Sequence, residues 1–225
     1  MIFCIIGKTG VGKTTIAKAV STTLNIPIIV TYTNRPKRPN EKDGVDYHFV
    51  DDKYFDDNID DFIDLRCYKV ATGEIWKYGI SKKQINKRDN YIVVVDTVGY
   101  ENLSKHFDTK AIIIDSYDNI IIDRLIQRGD SLEEVERRLE DDKNKIEKFL
   151  EKTPIEKRIM IFNNDNIYSA KVDCIQSISV AICDKTYKKI RHYLELTIVT
   201  SIISLLCLLY HIFLNSIFML FLSII

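Results

Sequence analysis

Five short apolar runs punctuate the chain: Ile2–Ile6, Ile28–Thr31, Tyr91–Val95, Ala111–Ile114 and Arg158–Phe162. Most are unbroken Ile/Val stretches, which predicts strands buried on both faces of a parallel sheet. Helical periods fill the gaps. Lys13–Leu24 sets Ile16, Val20 and Leu24 on one face, and Asn119–Gln127 and the Glu/Arg-rich Leu132–Leu150 predict two more helices. Strands alternating with helices give an α/β domain of three layers around a central parallel sheet. Residues 32–85 break the rhythm. They are polar, aromatic and turn-rich, so an inserted lobe is expected there.

The pattern changes again past Glu195, the last charged residue. Residues 196–225 are almost wholly apolar, and a charge-free stretch of that length predicts a transmembrane segment. Lys185, Lys188, Lys189, Arg191 and His192 precede it and would stay on the cytoplasmic side. Met1 runs straight into the first strand, without the basic region and cleavage site of a signal peptide. The expected organisation is therefore a globular domain over 1–187, a basic juxtamembrane linker over 188–195 and a membrane tail over 196–225. The globular part would be held at the membrane by a single pass, in the cytoplasm. Basic and acidic residues balance at 32 each, so no bulk field favours a nucleic-acid partner. The five cysteines show no metal-ligand spacing.

Chemistry enters at the end of the first strand. Residues Gly7, Lys8, Thr9, Gly10, Val11, Gly12, Lys13 and Thr14, with Thr15 beside them, make a glycine-rich turn between a strand and a helix. That is the order a phosphate-binding loop needs. Its glycines let backbone N–H groups crowd a polyphosphate, and the following helix points its positive end at the same anion. Lys13 would reach the β- and γ-phosphates, and the Thr14 hydroxyl would ligate Mg²⁺. Asp96, at the end of the run Tyr91–Val95, stands where ligands bind in open α/β sheets. It could hold Mg²⁺ through water or cap the next turn.

A second motif follows the second run: Thr31, Arg35, Arg38, Glu41, Gly44, Tyr47 and Phe49. Two arginines three residues apart, beside a glutamate and a tyrosine, can clamp a phosphate dianion through bidentate guanidinium forks. On this motif and the glycine loop, the chain resembles guanylate kinase over roughly residues 1–182. The resemblance implies a P-loop kinase fold with an acceptor-binding lobe near 32–85 and a helical lid near 124–145. It implies ATP and Mg²⁺ as cofactors and a nucleoside monophosphate, GMP above all, as phosphoryl acceptor.

By the family pattern, Arg35 and Arg38 hold the acceptor phosphate with Tyr47 and Tyr78, and Glu41 fixes the arginines. Thr31 and Asp64 would read the base, Arg128 and Arg138 would close from the lid, and Asn163 would lie beside the donor's adenine. The chain departs from the pattern at Ile80, where the family carries a hydroxyl, and in the long interval between Asp64 and Tyr78. Two other functions stay open on the residues alone. One is a related kinase acting on a sugar phosphate or another nucleotide; the other is a membrane-tethered binding module of the same fold without activity.

Overall fold

The computed structural model describes residues 1–70, 73–86, 89–164 and 166–222, with side chains to residue 206. It divides into two units, Met1–Ile178 and Ser179–Ile225.

The first unit is built on a parallel sheet. Strands β1 (Ile2–Gly7), β6 (Tyr91–Val94), β7 (Thr109–Asp115) and β8 (Arg158–Phe162) lie in the order β6-β1-β7-β8. Every pairing is parallel. The continuous Ile/Val runs have the reason expected: Phe3, Ile5, Ile112 and Ile114 are fully buried, as are Cys4 and Ile113, which point the other way. Helix α1 (Lys13–Leu24) packs on β1 and β6. On the opposite side, Tyr100 and Leu103 of α3 (Thr97–Ser104) join Phe149 of α5 (Leu132–Lys152) in one core cluster with Cys4, Val93 and Ile113. Helix α4 (Asp118–Gln127) precedes α5 and contacts it.

The inserted segment carries its own mixed sheet. Strands β2 (Tyr32–Thr33), β3 (His48–Phe49), β4 (Phe62–Lys69) and β5 (Ile75–Ser81) run in the order β3-β2-β5-β4, with the short α2 (Asp52–Asp57) between β3 and β4. The expected strand Ile28–Thr31 is only partly realised. Ile28 pairs with Ile92 on the edge of the main sheet, but the Thr31 carbonyl already accepts from the His48 N–H. The chain leaves one sheet for the other within that run. The long interval between Asp64 and Tyr78 is a long antiparallel hairpin, which sets Asp64 opposite Ile80 and Arg66 opposite Tyr78.

The expected transmembrane tail and membrane location do not hold. No helix among the described residues is long and apolar enough to cross a membrane. The final helix, α6 (Ile167–Leu222), begins with amphipathic sequence whose Ala170, Cys174 and Ile178 are buried in the first unit. Of the expected tail, residues 196–206 carry described side chains, and all of these are exposed. The remainder of the expected tail, 207–225, lies outside the described side chains.

Candidate active site

The glycine loop joins β1 to α1. Gly10 and Gly12 have φ of +80° and +97°, a region that L side chains rarely adopt. Space forbids a side chain as well. A Cβ on Gly10 would stand 2.8 Å from Leu125 Cγ, and one on Gly12 would stand 3.0 Å from Asn163 Nδ2. Gly12 is the N-cap of α1 and offers no side-chain cap. The first amides of the helix are thus left for an anion. The Lys13 ammonium donates to the Gly7 and Lys8 carbonyls, both at 2.8 Å. Burial pulls its pKa down to about 8, although Asp142 and Asp96 act to raise it.

The arginine clamp sits on the inserted lobe. Arg35 is 4 % exposed, and its Nη2 donates to both oxygens of Glu41, at 2.7 and 2.9 Å. Its guanidinium lies 5.3 Å from the Tyr47 ring centre. The Arg38 N–H donates to Glu41 as well, while the Arg38 side chain stays half-exposed. Burial works against ionisation of Glu41, but these bonds outweigh it and hold the carboxyl below its usual range. Glu41 therefore stays charged and fixes Arg35 in place.

One cleft of about 590 Å³ brings the two cradles together. Thr9, Gly10, Gly12, Lys13, Thr14 and Thr15 line it from the loop; Arg35, Arg38, Tyr47 and Tyr78 line it from the lobe. Arg128, Arg138 and Asp96 complete the lining among the residues expected from sequence. Arg128 and Arg138 both pair with Asp130, and Arg138 also donates to Glu134 at 2.6 Å. Arg137 points elsewhere and pairs with Glu134 on the surface.

Other expected residues lie outside this lining. Lys8 pairs with Asp118 and Asp115. Asn163 is buried behind the loop, where its Nδ2 donates to the Val11 carbonyl at 2.8 Å. Thr31 and Glu41 line a smaller cavity of about 190 Å³, which shares Thr14, Arg38 and Tyr47 with the cleft. Asp64 lines neither cavity; it is 1 % exposed and receives Asn102 Nδ2 at 2.8 Å. Ile80 is fully buried in the main core cluster.

Sequence reasoning missed Tyr68, Trp76, Asp142 and Lys145, all of which line the cleft, as does Arg124 of the lid-like segment. Three of the missed or expected residues shared a readable signal. Arg138, Asp142 and Lys145 recur at i, i+4 and i+7 on α5, so they share a face. Asp142 reaches across to the loop, where its carboxylate accepts from the Thr9 N–H at 2.6 Å. Tyr68 and Trp76 stand opposite one another on the hairpin, each half-buried beside exposed neighbours (Cys67, Lys69 and Ile75).

Among the described residues no group of three or more His, Cys, Asp or Glu could hold a metal unaided. Both Asp96 oxygens are engaged. Oδ1 accepts from Arg66 Nη1 at 2.5 Å and from the Gly99 N–H at 2.9 Å, and Oδ2 accepts from the Tyr68 hydroxyl. The site fits a cation held mainly by nucleotide phosphates and water, with the exposed Thr14 hydroxyl as the protein's own ligand.

A glycine loop at the end of a parallel strand, sharing one cleft with a guanidinium clamp, defines a phosphotransferase of the P-loop class. The family model described as guanylate kinase matches residues 2–170, and the chain belongs to the guanylate kinase family. A guanylate kinase of Helicobacter hepaticus is 31% identical over 147 residues, 61% of this chain and 72% of its own. One of Bacteroides fragilis is 32% identical over 178 residues, 75% of this chain and 83% of its own. Among solved structures, guanylate kinase from Anaplasma phagocytophilum superposes with a TM-score of 0.54 at 22% identity, over 80% of this chain and 85% of that one. That last likeness is one of fold.

Proposed function

We propose that this chain catalyses ATP-dependent phosphorylation of GMP to GDP. The single observation that carries the proposal is the shared cleft, with an amide-lined loop on one wall and two arginines on the other. The donor's phosphates would lie against the amides of Thr9 to Thr15, with Lys13 on their β- and γ-oxygens. Arg35 and Arg38 would clamp the acceptor phosphate, and Tyr47 and Tyr78 would steady it. Thr14 would hold a magnesium ion, which would supply charge neutralisation to the donor phosphates.

The chain's task is then positioning and charge neutralisation, with no covalent protein intermediate. Arg128 and Arg138 are held by Asp130 and Glu134 at the cleft's edge. Exchanging those carboxylates for phosphoryl oxygens would carry the lid over the reacting groups and exclude water. In domain terms, residues 1–187 make the catalytic unit, with the acceptor lobe at 32–85 and the lid at 124–145.

A coupled assay of ADP release tests this with GMP, dGMP, AMP, UMP, CMP and ribose bisphosphate. GMP is expected to turn over fastest. Folded protein without GMP turnover overturns the proposal, and turnover of ribose bisphosphate in its place identifies a sugar-phosphate kinase.

A further inference from the structure

Arg66 is a cationic side chain at the acceptor end to which this mechanism gives no part. It lies on β4 between two carboxylates. Its Nε sits 2.8 Å from Asp64 Oδ2, and its Nη1 sits 2.5 Å from Asp96 Oδ1. The guanidinium is 10 % exposed and the Asp64 side chain not at all. Space has been cleared for it, because a Cβ on Gly99 would stand 3.0 Å from Arg66 Cζ. The Nε–Asp64 contact is an ion pair whose geometry falls short of a hydrogen bond, so both atoms stay under-satisfied. Asp96 and Tyr68, which close over this group, line the cleft, as does Tyr78, the cross-strand partner of Arg66.

Guanine carries the same chemistry. Its N1–H and its amino group flank one carbon, which makes that edge a guanidine. A carboxylate placed to accept from a guanidinium N–H can also accept from the guanine N–H groups, and here both carboxylates are already engaged by Arg66. We infer that Arg66 competes with the guanine base for Asp64 and Asp96, and so sets the acceptor affinity of this enzyme. The inference rests on GMP being the acceptor. Binding then draws on the fraction of molecules in which Arg66 has left the carboxylates, and apparent affinity falls by that fraction.

Steady-state kinetics of Arg66→Met and Arg66→Lys test it. Met keeps the apolar stem; Lys keeps a cation beside Asp64 but cannot span both carboxylates, so one variant serves if the other fails to fold. The KM for GMP is expected to fall, by about tenfold if one molecule in ten is competent, while the KM for ATP holds. Millimolar guanidinium ion should then inhibit Arg66→Met competitively against GMP and not against ATP. A merely bracing Arg66 would produce neither effect. A KM for GMP that rises or stays put in the folded variants, with the wild type active on GMP, overturns the competition alone. A wild type inactive on GMP overturns the acceptor assignment as well.

Discussion

Burial is the main force on the Lys13 ammonium, and it leaves a group with a pKa of about 8 in the free protein. Donor phosphates would raise that value again, so binding takes up a proton wherever the free ammonium is partly deprotonated. ATP affinity is therefore expected to weaken as pH rises through about 8 towards the ordinary lysine range. Calorimetry at pH 8.5 in two buffers of different ionisation enthalpy would register the uptake. Lys13→Met should abolish the uptake and lower kcat by about 10²–10³-fold. Lys13, Arg35 and Arg38 were legible in the sequence because their chemistry fixes their spacing. The partners of Asp142 and Arg66 were not, although the helix face that Asp142 shares with Arg138 and Lys145 was readable. Asp142 meets a loop amide 133 residues away, and Arg66 meets Asp96 at a separation of 30. Neither contact leaves a trace in local pattern.

Helix α5 carries a carboxylate into the anion cradle. Asp142 on Thr9 stands where a phosphate oxygen is expected, so nucleotide must displace it. Asp142→Asn should tighten ATP binding, by up to about tenfold if the charged bond is worth about 1.4 kcal/mol, as read by calorimetry. The loop and α4 meet at Gly10, where Gly10→Ala would drive a methyl into Leu125. A loss of about 1–3 kcal/mol in thermal unfolding is expected. Elements with a strong period were legible: α1 and β8 match their expected bounds. The lobe's sheet was not, because β2 and β3 have two residues each and owe their existence to partners far along the chain. Helix α3 was hidden for another reason. Its eight residues give little period, and its clearest sign was Asp96, whose side chain accepts from the Gly99 N–H as an N-cap.

At the scale of the whole molecule, α6 divides by burial. Ala170, Cys174 and Ile178 belong to the core, whereas every residue from 183 to 206 is exposed. A chain ending at residue 185 should keep its GMP kinase activity and a Tm within about 2 °C of the full chain. A chain ending at residue 166 should lose more than about 3 kcal/mol, since three buried side chains go with it. Melting curves and the coupled assay read both. The expected tail does not hold among the described residues, where no helix is long and apolar enough to cross a membrane. The main sheet has one further consequence. The lobe leaves it at Ile29 and returns at Ile92, and these two residues are hydrogen-bonded neighbours, N to O at 2.8 Å. Entry and exit side by side make the lobe a cassette. A different acceptor module spliced between those points would leave the strand order intact, provided that it refilled the place of Ile80 in the main core.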